Sequence, residues 1–199
     1  MKSIEYYNTY VLKSRHTLEE TLEVESNNYN SYLYKNLKEY ILGKIKSEHV
    51  IKIKYWQKIS RFADFYDYRY HVKGGIINLI SYLWYIRKRN ILGRTLGLEI
   101  STEHIGKGLL IYHYNNVVNP SAIIGENLHL HGCNVIGNAG NGDFRCPVIG
   151  NNVMMGAGAK VIGGVTIADN IKIAAGAVVV NSFTEPGITI GGIPARRLK

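Results

Sequence analysis

The 199-residue chain is poor in cysteine, with only Cys133 and Cys146 and no CxxC pair. Two cysteines so placed build neither a disulfide framework nor a thiolate metal site. Long apolar runs are missing too. The longest, residues 76–86 (IINLISYLWYI), is about half of the roughly 20 residues a helix needs to cross a bilayer. The N-terminus, MKSIEYYNTYVLKSRH, has no apolar core segment and does not read as a secretory signal, so a cytoplasmic location is expected. Acidic residues are scarce, 15 against 24 Lys and Arg, for a formal net charge of +9. Nucleic-acid binding is one use for such a charge. Here the cations are mixed with acids and no nucleic-acid-binding motif accompanies them, so none is expected. Arg87, Lys88 and Arg89 follow the 76–86 run, which allows contact with an anionic membrane surface; a buried helix with a basic end is the preferred reading.

What is present is unevenly placed. All 15 tyrosines lie at or before Tyr114, whereas 16 of the 21 glycines lie beyond Gly97. Residues 1–96 hold 17 Lys and Arg against 9 Asp and Glu; residues 97–199 hold 7 against 6. Two regions of different construction follow, 1–96 and 97–199. The first reads as helical over 18–24, 31–46 and 75–90, with SNNYN (26–30) as a break.

In the second region an aliphatic position recurs every six residues: Val118, Ile124, Leu130 and Ile136, then Ile149, Met155, Val161, Ile167, Ile173 and Val179. A small or aliphatic companion follows four residues later at Val153, Ala159, Val165, Ile171 and Ala177. A helix would repeat near 3.6 residues and a strand near 2; a sustained period of six is that of a solenoid. Three hexads close one triangular coil, with the aliphatics stacked inside and Gly or Asn at the corners. Two defects interrupt it. Ile111 and Val118 are seven apart, with His113 between them. Ile136 and Ile149 are thirteen apart, with NAGNGDFRCP filling the gap. Departures from a local rule are where function is sought.

The segments GLEI (97–100), IGKGLLIYH (105–113), RCPVIGNNVMMGAGAKVIGGVTIADN (145–170), AAGAVVV (174–180) and GGIPARRL (191–198) resemble the serine acetyltransferase branch of the hexapeptide-repeat acyltransferases. The resemblance implies a mainly β fold, a left-handed parallel β-helix behind a small helical region, and acetyl-CoA as co-substrate without a metal. His113 corresponds to the family's general base, and Glu99 to the acid that orients it. Gly156, Ala157, Ala159, Lys160 and Ala175, with Arg196 and Arg197, correspond to the coenzyme path. A homotrimer with sites between neighbouring solenoids is implied, with a dimer of trimers as an extension.

Acceptor-side residues are Tyr112, Tyr114, Arg145 and Cys146. Serine-acetylating members carry Asp where Tyr112 stands and His where Cys146 stands. Closer likeness to polysaccharide-biosynthesis members lies in HY (113–114), VVN (117–119) and SFTEPGITIGGIPA (182–195), so a sugar hydroxyl is the expected acceptor, with L-serine the alternative. His129, His131 and Cys133 resemble part of the γ-carbonic-anhydrase metal segment. Glu126 stands where that segment needs another histidine, and alternation would leave both histidines outward and solvated. A non-catalytic scaffold is the remaining alternative.

Overall fold

The computed structural model describes residues 12–33, 36–46, 48–140 and 142–198. The chain divides into two compact units: one takes in the chain up to Leu96 together with Thr102–His104, the other Gly97–Ser101 and Ile105–Lys199.

The first unit holds α1 (Arg15–Leu33), α2 (Leu37–Ile45), α3 (His49–Lys73) and α4 (Ile76–Leu96). SNNYN does not break a helix; residues 26–30 lie inside α1. Weak helix propensity there is overridden by packing: Tyr29 is buried and its hydroxyl donates to Gln57 Oε1 at 2.9 Å, while Lys54 Nζ donates to Asn30 Oδ1 at 3.0 Å. The turn falls later, where Asn36 caps α2 by accepting from the Glu39 N–H at 3.0 Å. The 25-residue α3 is a helix the sequence reading missed. Its apolar, aromatic and charged residues are interleaved without a clean stripe because several polar positions are themselves buried. Trp56 on α3 is buried and donates to the Arg89 carbonyl at 3.1 Å. Phe62 and Tyr66 stack on Tyr85, with ring centroids 5.0 and 5.5 Å apart.

Buried charge organises this unit. Arg61, fully buried, donates to Glu25 Oε1 at 2.6 Å and to the Thr102 carbonyl at 2.9 Å. Asp64 accepts from the Arg89 guanidinium at 3.2 Å and from the Thr102 hydroxyl. Burial and the neighbouring Glu103 raise the Asp64 carboxyl from 3.8 to about 7, more than Arg89 and Thr102 offset.

The second unit is a parallel β-helix of triangular section. Sheet I takes β1 (Leu98–Ile100), β3 (Asn116–Val118), β6 (Val135–Gly137), β9 (Lys160–Ile162) and β12 (Val178–Val179). Sheet II takes β4 (Ile123–Ile124), β7 (Val148–Ile149) and β10 (Thr166–Ile167). Sheet III takes β2 (Leu110–Ile111), β5 (His129–Leu130), β8 (Met154–Met155), β11 (Lys172–Ile173) and β13 (Thr189–Gly192), closed by antiparallel β14 (Ala195–Arg197). The chain visits I, II and III in turn. Register partners such as Val117 and Val135, or Lys160 and Val178, stand eighteen residues apart, three hexads per coil.

The hexad aliphatics are the core. Ile100, Val118, Ile136, Val161 and Val179 stack behind sheet I, and Ile111, Leu130, Met155, Ile173 and Ile190 behind sheet III, all nearly inaccessible. At the corner from II to III, Asn127, Asn152 and Asn170 adopt φ of 58°, 55° and 61°. Their side chains form a ladder, each amide donating to the next at 2.9 and 3.1 Å.

Because Asp64 binds its proton more tightly folded than unfolded, its contribution to stability is greatest below about pH 4. That contribution falls as the pH rises through about 7 and is flat above. Urea unfolding followed by helical circular dichroism is expected to show wild-type stability declining from pH 5 to pH 8. The decline is expected to be shallower in Asp64→Asn.

Candidate active site

A coil whose register is fixed by backbone hydrogen bonds can accept an extra residue only by bulging outward. Ile111 pairs with Leu130 nineteen residues on, whereas Val118 pairs with Ile136 eighteen on. The surplus residue therefore lies in the corner from sheet III to sheet I, between β2 and β3. His113 occupies that corner and is exposed. Gly132 sits behind it with φ 110°, and a Cβ there would come 2.7 Å from His113 Cβ.

The turn is held from inside. Asn116, fully buried, donates to the His113 carbonyl at 2.7 Å and accepts from the Asn134 N–H at 3.1 Å. Asn134 accepts from the Gly132 N–H at 3.0 Å and donates to the carbonyls of Gly156, at 2.7 Å, and Ala159, at 3.2 Å. These two asparagines were not singled out from the sequence. The available signal was the companion position: four residues after Leu130 stands Asn134, where the later coils carry Ala159 and Ala177.

The same corner runs on as a column of small residues. Cys133 N–H donates to the Tyr114 carbonyl at 3.0 Å, Gly158 to Gly132 at 2.9 Å and Gly176 to Ala157 at 2.8 Å. Ala157 and Ala175 are exposed along it. Gly156 is tightly stacked, since a Cβ on it would come 2.6 Å from the Ala175 nitrogen. Ala159 is corrected as a coenzyme contact. Its side chain is buried in the core, its N–H is given to Gly156, and its carbonyl accepts from Val135 and Asn134. Lys160 is exposed on the outer face of β9. Arg196 is exposed on β14; Arg197, also exposed, is paired with Glu185 at 2.6 Å.

Tyr112 adjoins His113 and stacks on the His131 ring, centroids 4.4 Å apart, with His129 at 6.0 Å edge-on. Both histidines are half-buried rather than solvated, which corrects the alternation argument. Burial followed by His113 lowers the titration of His131, and burial followed by His131 lowers that of His129. The Nε2 of His131 is buried and lacks a partner among the described residues. Among the described residues, no three His, Cys, Asp or Glu side chains come together as a metal site. Glu99 is exposed on the outer face of β1 with Val117 as its register partner, and its side chain makes no hydrogen bond among the described residues.

Arg145 and Cys146 are elsewhere. The thirteen-residue defect leaves the wall between β6 and β7, at the corner from sheet I to sheet II. There Arg145 forks onto Asp143, Nη2 to Oδ2 at 2.8 Å and Nε to Oδ1 at 3.0 Å, which holds the carboxyl down at about 2. Its Cβ packs over Gly164, where a Cβ would come within 2.7 Å. The half-buried Cys146 thiol is raised by burial and by Asp143, and Phe144 beside it is 80% exposed. One chain therefore presents His113, Tyr112, Ala157 and Ala175 at one corner and Arg145 with Cys146 at the next.

No family model matches the sequence. Serine acetyltransferase of Buchnera aphidicola is 34% identical over 133 residues, covering 61% of this chain and 50% of that protein. The chain thus spans about half the length of that relative. The putative colanic acid biosynthesis acetyltransferase WcaB of Escherichia coli K12 is 32% identical over 120 residues, covering 57% of this chain and 74% of that protein. The chain belongs to the serine acetyltransferase-like hexapeptide-repeat acyltransferases. Among solved structures, Neisseria gonorrhoeae serine acetyltransferase superposes with a TM-score of 0.69 at 26% identity, covering 98% of this chain and 71% of that one. Brucella abortus serine acetyltransferase in complex with coenzyme A gives 0.69 at 24%, covering 98% and 72%. The fold shared with these structures is the left-handed parallel β-helix.

Gly132→Ala is expected to displace His113, because alanine at positive φ costs about 1–2 kcal/mol and the added methyl meets the histidine. Roughly 10²-fold lower turnover is expected in a thiol-release assay, a loss of the size that small misplacements cause. Asn134→Ala takes the acceptor from the buried Gly132 N–H and leaves the carbonyls of Gly156 and Ala159 with one bond each. It is expected to lower unfolding free energy by about 1–3 kcal/mol in urea titration.

Proposed function

We propose that this chain transfers the acetyl group of acetyl-CoA to a sugar hydroxyl in surface-polysaccharide synthesis, with His113 as general base. The observation that carries this is the extra residue that lifts His113 out of the wall at the head of a corner column of small residues. The exposed edge of Ala157 and Ala175 lets an extended thioester arm lie close to the backbone. Exposed Lys160 and Arg196 offer charge to phosphates, and Arg197 does so on release from Glu185.

In this reading His113 takes the acceptor's hydroxyl proton as the oxygen attacks the acetyl carbonyl. The carbon–sulfur bond breaks, and the imidazolium returns its proton to the departing thiolate. Such base assistance is worth roughly 10²–10⁴-fold, and alignment of the two substrates must supply much of the rest. Glu99 orients and compensates the imidazolium. Tyr112 and Tyr114 flank the base and suit a sugar ring, stacking on its face and bonding through their hydroxyls.

Arg145 and Cys146 lie at a different corner from His113, so an acceptor touching all of them needs two chains. A homotrimer of side-by-side solenoids places the loop of one chain beside the His113 corner of the next; the helical region could extend this to a dimer of trimers. The sugar preference rests on Tyr112 and Cys146 and on the longer coverage of WcaB, 74% of its length. L-serine is the second reading, favoured by the Buchnera relative at 34% identity. An amino acid, however, brings an ammonium and a carboxylate that need buried partners, and Arg145 already holds Asp143.

His113→Ala is expected to abolish thiol release, a loss of roughly 10²-fold or more, with fold and coenzyme affinity retained. Near-normal turnover would refute the mechanism. Across a panel of L-serine, free sugars, nucleotide sugars and oligosaccharides, kcat/KM is expected to be highest for a sugar. Tyr112→Asp with Cys146→His is expected to shift preference toward serine. Efficient serine acetylation by the unaltered chain would transfer the reading to the L-serine alternative.

A further inference from the structure

The helix α4 carries a surface that acetyl transfer does not use. Ile76, Ile77, Ile80, Leu83 and Trp84 are 52–76% exposed, where the sequence reading preferred a buried helix. At 100° per residue these five fall on one stripe, which Ile91 continues between Arg87 and Arg94. Lys88 Nζ lies 4.6 Å from the centre of the Trp84 ring. The helix contains no Asp or Glu. Of its four cations only Arg89 turns to a carboxylate among the described residues, Asp64. An apolar face followed by an unopposed basic one is therefore presented to solvent.

We propose that this face of α4 docks on an anionic lipid surface, lying in the interface rather than crossing it. Ile76, Ile77, Ile80 and Leu83 enter the boundary between headgroups and acyl chains, Trp84 sits at headgroup level, and Arg87, Lys88 and Arg94 meet lipid phosphates. Charge decides between this occupant and a second copy of the chain. Two copies seated face to face bring Arg87 and Arg94 against the same arginines when parallel and against the apolar half when antiparallel, and in neither case does either helix hold a carboxylate to offset them. A lipid surface complements both halves of the stripe. The excess of eight positive charges over residues 1–96 acts in the same sense. No helix among the described residues is long and apolar enough to cross a membrane, as an interfacial placement requires.

The test uses the full chain with phosphatidylcholine vesicles, with and without phosphatidylglycerol, and is independent of acetyl transfer. Sedimentation with the anionic vesicles is expected, weakening as salt is raised. Trp84 emission should move to the blue and be quenched by brominated lipid. Trp56, 1% exposed, serves as the internal constant. Arg87→Glu with Arg94→Glu is expected to lower partitioning roughly 25-fold or more, at about fivefold per charge removed. Ile80→Asp should lower it as well. Lys172→Glu, exposed on β11, should leave it unchanged, and none of these variants should alter vesicle-free thiol release. Absence of phosphatidylglycerol-dependent sedimentation would overturn the proposal, as would an equal loss in Lys172→Glu. A change in the mass of the vesicle-free assembly on Ile80→Asp would assign the face to a second copy instead.

Discussion

The backbone ladder that joins each coil to the next governs the second unit. Once Val117 is bonded opposite Val135, and Val135 opposite Lys160, the wall has no freedom to absorb a residue. A surplus must leave the stack, and it leaves at a corner, because within a strand it would turn every inward aliphatic outward. The two surpluses have different lengths and so different consequences. One extra residue produces a bulge stiff enough to be held by a single buried asparagine. Seven extra residues produce a projecting loop that must supply its own internal contacts, which it does through Arg145 and Asp143. The same wall thus yields a fixed histidine turn and a separate projecting loop.

Holding the His113 turn rigidly costs buried polar groups, and the interior shows how they are satisfied. Asn116 and Asn134 interrupt an otherwise aliphatic stack, yet their donors and acceptors meet backbone groups of the His113 turn, Gly132, Gly156 and Ala159. A fully connected polar network stiffens what it touches, whereas one left half-satisfied is a liability. The relay also links the bulge to the next two coils, so the histidine and the column of small residues share one support. Outside, the Tyr112–His131 stack supports the turn from its other side. Burial and His113 both disfavour protonation of His131, which works against a second positive charge beside His113.

The period of six made the core legible before any coordinates, residue by residue, because a solenoid repeats one environment and so repeats one side chain. The His113 defect was legible for the same reason, as a break in arithmetic. What stayed hidden has physical causes as well. The helix α3 mixes buried Arg61, Asp64 and Asp67 into its inner face, and a stripe that includes charges does not read as a stripe. Asn116 and Asn134 are ordinary turn residues by type; only their inward position makes them supports. The half-burial of His129 and His131 depends on the Tyr112 ring, a contact between coils that strand alternation cannot show. Exposure of the 76–86 run was misjudged because hydropathy reports what a segment prefers, not whether its own chain can cover it.

The triangular section sets a final constraint on any chemistry done here. Each coil crosses three faces before returning, so residues that are eighteen apart stack, whereas residues on successive corners are separated by a whole face of sheet. His113 and Arg145 are of the second kind. No rearrangement of side chains within one chain closes that gap, because β3, β6, β9 and β12 stand between the two corners in one bonded sheet. In the proposed trimer the gap is closed by symmetry instead: each chain contributes one corner to each of two sites. The outward face of sheet II suits that role, since Ile123 and Val148 stand 50 and 45% exposed there, where a solitary solenoid would gain from polar residues. Burial of that face and completion of the site would then be the same event, so that loss of assembly removes activity even from a chain whose His113 turn is intact.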